Sequence, residues 1–161
     1  MKKITLFAFL AVSGISFAQS EGTADVNAEI VSPIEINDGT ALNFGSINGT
    51  GIGGDVTVKP NGNRLFTNTD MEVTSATTVT AGQFSITAGN GVSYDISIPS
   101  TVLTGAGTDM NLVFAHDRIG AAKRIGTGAA QELNVGGTLT VNDAQTAGAY
   151  EGTVTVTVNY N

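Results

Sequence analysis

From Gly148 to Tyr160 every second residue is apolar or glycine: Gly148, Tyr150, Gly152, Val154, Val156, Val158 and Tyr160 alternate with Ala149, Glu151, Thr153, Thr155, Thr157 and Asn159. A repeat of two places alternate side chains on one face of an extended strand, whereas a helix would need a repeat near 3.6. The even-numbered residues are therefore expected to point inward, with Glu151, the three threonines and Asn159 pointing out. The same period recurs along the chain. Ala24, Val26, Ala28 and Ile30 alternate with Thr23, Asp25, Asn27 and Glu29, and Pro33 then interrupts before Ile34 and Ile36 resume. Phe44, Val56, Val58, Phe84, Ile86, Tyr94, Ile96, Leu112, Phe114, Leu133, Val135, Leu139 and Val141 continue the pattern.

Turn signals separate these runs. Asn48-Gly49-Thr50-Gly51, Asn61-Gly62-Asn63, Gly89-Asn90-Gly91 and Gly105-Ala106-Gly107 supply residues that adopt positive φ at little cost. No stretch keeps apolar residues at helical spacing over three turns, so the fold class is all-β. Eight or so short strands with this punctuation predict a β-sandwich of immunoglobulin-like arrangement. Residues 118–131 have no clear period and are expected to form a loop. An outer-membrane barrel is disfavoured, because Phe44, Phe66, Phe84, Tyr94, Phe114, Tyr150 and Tyr160 are too few aromatics for two interfacial girdles. No stable membrane insertion is expected.

The first eighteen residues read as an address. Lys2 and Lys3 precede an almost wholly apolar run, Ile4 to Ile15, and Ser16-Phe17-Ala18 offers the small residues a signal peptidase reads. Residues 1–18 are thus expected to be a cleaved signal peptide, with cleavage before Gln19 and the remaining chain exported. Residues 19–31 form an amino-terminal strand or extension, and 32–161 one domain.

Charge and composition narrow the function. Seven basic residues face fourteen acidic ones, a net charge of -7. Loss of Lys2 and Lys3 leaves five basic residues against the same fourteen, or -9. That sign is wrong for a nucleic-acid backbone, so no nucleic-acid partner is expected. The chain has no Cys and one His, which removes thiol nucleophiles, disulfides, thiolate metal sites and paired-histidine zinc sites. His116 and Asp117 are adjacent and would face opposite sides of a strand. The aspartates are scattered without a calcium-loop spacing, and Gly51-Ile52-Gly53-Gly54 and Gly126-Thr127-Gly128 lack the helix and Lys-Ser/Thr pair of a phosphate cradle. No enzyme, metal or cofactor is expected. Arg118, Lys123 and Arg124 form the one basic cluster, read as a solvated loop or as a contact for an acidic patch on a partner. Tyr94, Tyr150 and Phe66 are weighed as a sugar-stacking surface and as core aromatics.

Two positions in the terminal run carry a resemblance. Tyr160 is the penultimate residue, and Gly148 is fourteenth from the end. This pairing resembles the carboxy-terminal signature of chaperone-usher pilus subunits. Leu42-Asn43-Phe44-Gly45, Gly54-Asp55-Val56-Thr57-Val58-Lys59-Pro60, Tyr94-Asp95-Ile96-Ser97-Ile98-Pro99 and Val135-Gly136-Gly137-Thr138-Leu139-Thr140-Val141 together resemble the secreted domain-of-unknown-function family 4402. That family is similar to spore coat protein U and to archaic fimbrial subunits. The resemblance implies an immunoglobulin-like sandwich lacking its last strand and completed by donor-strand exchange, with copies of itself, related subunits, a periplasmic chaperone and an usher as partners. The acceptor or chaperone-facing residues would be Gly148, Tyr150, Val154, Val156, Val158 and Tyr160, the glycine leaving room for an incoming side chain. Ala24, Val26, Ala28 and Ile30 would be the donor strand, or equally the first strand of their own domain. The expected function is a structural subunit of a cell-surface fibre or coat, reached through the periplasm. The alternative is a self-contained secreted binding or adhesion module that takes carbohydrate. The pilin disulfide has no counterpart here.

Overall fold

A computed structural model of the chain describes residues 21–28, 30, 32–49, 51–73 and 78–161. The leader and its cleavage site lie outside the described residues. The chain divides after Ile30. Before that point, residues 21–28 and 30 carry no secondary structure and are exposed.

The body is all-β. Its strands are β1 (Glu35–Asp38), β2 (Gly54–Val58), β3 (Arg64–Phe66), β4 (Gly82–Thr87), β5 (Tyr94–Ser97), β6 (Thr101–Gly105), β7 (Met110–His116), β8 (Ala130–Val141), β9 (Tyr150–Glu151) and β10 (Thr157–Tyr160). β8 is the spine. Along one edge its first half pairs with β4, from Thr87↔Ala130 to Gly82↔Val135, and its second half with β2, from Val58↔Gly137 to Gly54↔Val141. β7 runs along the other edge, from His116↔Val135 to Leu112↔Leu139. β1 extends this sheet beyond β4, and β3 extends it beyond β2. β6 pairs with β7 on one side and β9 on the other, so the sheet curls there, while β5 and β10 pair separately. All pairings are antiparallel, and the result is a β-sandwich.

The change of partner along β8 explains its Gly136-Gly137 pair. A Cβ on Gly136 would run into the Val58 carbonyl, and one on Gly137 would lie 2.8 Å from Leu112 Cδ1. Only glycine lets β2 and β7 close on the spine at that level. Inward residues on either side of the pair fill two clusters. Phe44, Val56, Val58, Met71, Met110, Leu112, Leu139 and Val141 form one, while Ile86, Ala88, Tyr94, Leu133 and Val135 form the other. Phe114 packs against both. The expected turns recur, with Gly62 at φ 83° and Gly91 at φ 77°.

Two local expectations are corrected. Residues 118–131 are not one loop: Ala121–Lys123 form a 3-10 turn and β8 starts at Ala130. Arg118 shapes the turn by donating from Nε to the Glu132 carbonyl and from a terminal nitrogen to that of Lys123. The terminal run is not one continuous strand either. Between the pairs Ser97↔Thr157 and Thr104↔Glu151 lie six residues, 98–103, on one side and five, 152–156, on the other. One extra residue makes a bulge, and Pro99 within it has no N–H to donate to a ladder. β9 and β10 are therefore separated by Gly152–Val156, which belong to no strand.

Leu133 is fully buried while Val113, on the outer face, is 59% exposed. Leu133→Ala is expected to lower unfolding free energy by about 2–5 kcal/mol and Val113→Ala by less than about 0.5 kcal/mol, as read by urea denaturation.

Candidate functional site

A groove of about 1260 Å³ runs along the start of the terminal strand. One wall is the segment 41–49, the other is 145–154, and the floor is made by Met110, Leu112, Leu139 and Val141 from the inner face of β7 and β8. A smaller hollow of about 280 Å³, lined by Asp38, Gly39, Thr40 and Gly152–Val154 among others, continues it. The volume exceeds the roughly 300–1,000 Å³ of small-molecule pockets and suits an extended segment.

The first wall is held from behind. Asn43 and Thr80 exchange backbone hydrogen bonds of 2.9 and 3.0 Å, and Asn48 N donates to the Met71 carbonyl. Arg64 reaches from β3 to donate to the carbonyls of Phe44 at 2.7 Å and Ser46 at 3.0 Å, with its guanidinium 4.7 Å from the Phe66 ring centroid. The second wall hangs on a polar corner. The Tyr150 hydroxyl donates to the Thr146 carbonyl at 2.8 Å and accepts from Gln145 Nε2 at 2.8 Å. Gln145 is buried and is satisfied again by Thr108 O and Asn142 Nδ2. Beyond this corner, Gly152–Val156 carry no ladder bonds on either side, so their main-chain donors and acceptors stand open beside the groove.

One end of the groove is shut. Ile34, Val154, Val156, Val158 and Tyr160 pack against the second core cluster. The Tyr160 hydroxyl donates to the Ser32 carbonyl at 2.6 Å and accepts from Gly89 N at 3.0 Å, tying the last strand to the point where the body begins. The other end opens among the turns at 45–49, 70–72, 108–109 and 142–148. These are held together by Asn48 Nδ2 on the Asp70 carbonyl, Asn142 Nδ2 on the Asp109 carbonyl and Gly53 N on the Asp143 carboxylate.

The residues read from the terminal run thus separate into two groups. Gly148, Tyr150 and Val154 line the groove. Val156, Val158 and Tyr160 close its end. Gly148 has a further local constraint: φ is 156°, and an added Cβ would lie 2.7 Å from Ala106 Cβ, so the glycine also serves a close approach to the β6–β7 turn. Ala24, Val26, Ala28 and Ile30 are exposed, Val26 at 93% and Ile30 at 96%. Arg64 and Gln145 were not foreseen. Nothing in their local sequence marks them, since each acts through a contact that only the fold creates.

The remaining candidates have local roles. The Asp117 carboxylate accepts from Asn134 N and Nδ2, both at 3.0 Å. His116 Nδ1 is buried without a partner, and burial holds the imidazole below its ordinary pKa, with Asp117 opposing and Arg124 reinforcing that shift. Lys123 and Arg118 donate to carbonyls, and Arg124 pairs with Asp95 at 2.5 Å. The three aromatics weighed for sugar stacking are committed as well. Tyr94 is buried in the core, the Tyr150 hydroxyl is used internally, and Phe66 lies under Arg64.

An all-β sandwich with an open groove beside its terminal strand is the class these features define. The family model described as domain of unknown function (DUF4402) matches residues 34–160, and the chain belongs to that family. No curated protein and no solved structure matches it.

Two outcomes are expected. Tyr160→Phe removes a hydroxyl that serves two backbone partners and should cost about 1–2 kcal/mol in thermal or urea unfolding. A histidine whose folded pKa lies below its unfolded value of 6.5 makes the unfolded state bind more protons. Stability from this source is present above pH 6.5 and is lost as pH falls through and below that value. His116→Gln should flatten that part of the stability-pH curve.

Proposed function

We propose that this protein is a non-enzymatic structural subunit, exported through the periplasm, that assembles with copies of itself or related subunits into a cell-surface fibre or coat by strand addition. On this reading the domain is an immunoglobulin-like sandwich short of one strand, similar to the pilin and coat-protein relatives the sequence resembles. A periplasmic chaperone and an usher would serve it in transit. The observation that carries the proposal is the pairing of an open groove, bounded by a bare strand edge, with an amphipathic stretch whose apolar residues have no cover.

Strand addition uses both parts of that pairing: main-chain bonds supply affinity, and alternate side chains in pockets supply specificity. The Tyr150 hydroxyl turned back onto the Thr146 carbonyl supports the immunoglobulin-like reading, since it matches the tyrosine corner of such sandwiches. Donation from copy to copy is a head-to-tail contact that does not close, so the product is a filament. The carbohydrate-binding alternative lacks a comparable feature, because Tyr94, Tyr150 and Phe66 are all engaged within the fold.

Residues 19–161 are expected to form polymers with rising concentration, seen by size exclusion with light scattering and by negative-stain microscopy. Val26→Asp, at an exposed position, should leave a folded monomer with the circular dichroism of the parent. Fibres of undiminished length from the variant would remove the arm as donor. A parent that stays monomeric at every concentration and ionic strength would falsify strand addition among copies.

A further inference from the structure

The groove has a charge as well as a shape. Asp38, Glu72 and Glu151 line it and its continuation, and no Lys or Arg side chain does. Asp70, Asp109 and Asp143, all exposed, stand on the turns around the open end. Five basic residues remain beyond the leader. Lys59 and Arg64 sit at mid-height, at the level of Gly136–Gly137 on the spine. Arg118, Lys123 and Arg124 sit at the opposite end, where Arg124–Asp95 is the one ion pair among the described residues. The groove lining thus carries carboxylates and no cationic side chain, although Arg64 donates to the Phe44 and Ser46 carbonyls of one wall.

The arm that strand addition would insert is also acidic. Its outward positions, alternating with Ala24, Val26, Ala28 and Ile30, are Thr23, Asp25, Asn27 and Glu29. The groove is shut at the Tyr160 end, so a strand lying in it places its outward residues beside Thr153 and Glu151 on one neighbour and beside the 41–49 wall on the other. Like charges on adjacent strands are destabilising, and opposite charges are stabilising. These charges are exposed, so salt weakens either effect over a Debye length of about 10 Å at 0.1 M.

We propose that the groove selects its occupant by charge: its preferred partner is a strand that alternates apolar residues with Lys or Arg, and this chain's own acidic arm enters well only when salt screens the rim. The proposal rests on the groove being a strand acceptor, and it adds the chemistry of the strand accepted. A cationic partner strand would hold the groove at low ionic strength and yield to the arm of another copy as ionic strength rises. Partner holding and subunit assembly would then be separated by electrostatics alone, with the same apolar pockets used for both.

The test uses the monomeric fraction of the 19–161 chain carrying Val26→Asp, titrated calorimetrically with two synthetic peptides. One has the sequence of residues 23–31, and the other carries Asp25→Lys and Glu29→Lys. At about 20 mM salt the lysine peptide is expected to bind about tenfold more tightly, and at about 500 mM the ratio should fall toward one as the native-sequence peptide gains affinity. Glu72→Gln with Glu151→Gln in the acceptor should shrink the low-salt ratio. Equal affinities at low salt, or a ratio unmoved by the glutamine pair, would overturn charge selection while leaving strand acceptance intact. Binding of neither peptide at either salt would overturn both.

Discussion

A main-chain amide needs a partner, and in this sandwich the segment Gly152–Val156 has none from the ladder on either edge. The cause is local. A bulge around Pro99 throws β5 and β6 out of common register with the terminal run, so the final strand holds on by two residues at β9 and four at β10. Everything distinctive about the molecule follows from how the fold manages that gap. The corner at Gln145 and Tyr150 fixes one side of it, the Tyr160 clasp fixes the other, and the inner face of β7 and β8 forms an apolar floor beneath.

Most of the architecture was legible in period and punctuation. Val56, Val58, Ile86, Leu133, Val135, Leu139 and Val141 were read as inward from alternation alone and are buried. Burial on one face forces that pattern, because a slip of one residue would turn every side chain outward. What alternation could not convey is where a ladder breaks. The terminal run looks like one strand because its own residues are ideal for one, and the interruption is imposed from the neighbouring strand, forty to sixty residues away in sequence. Gly148 shows the same limit. Its position from the chain end is a sequence fact, but its close approach to the Ala106 methyl across a turn is not. Arg64 and Gln145 were invisible for a related cause: a polar side chain that satisfies distant carbonyls has no periodicity of its own.

Without disulfides, the body must hold its two ends by other means, and it does so with hydrogen bonds from two tyrosines. Each hydroxyl both donates and accepts: Tyr150 to Thr146 and from Gln145, Tyr160 to Ser32 and from Gly89. A half-buried hydroxyl that satisfies two backbone or amide partners contributes more than an exposed ion pair, which is typically worth under about 1 kcal/mol. The Arg124–Asp95 ion pair is partly exposed on both sides and adds little by comparison. Arg64, Arg118, Asp117 and Asp143 hold backbone groups, whereas the Asp38, Glu72 and Glu151 side chains along the groove take part in no hydrogen bond or ion pair among the described residues, which leaves them open to serve association.

That freedom bears on how an open edge is guarded. An unpaired strand edge beside an apolar groove invites indiscriminate pairing, and proteins commonly guard such edges with charge. Here the guard is of one sign, and the chain's own arm shares it. A rim of carboxylates repels other acidic copies at low ionic strength while leaving the groove shape unaltered. The same carboxylates favour a cationic strand, so protection against untimely pairing and choice of partner become one property of the rim. The apolar pockets set how tightly a strand can be held, and the rim sets which strand arrives. On the proposed strand-acceptor reading, separating the two would let a single groove serve successive occupants without any change in the core that supports it.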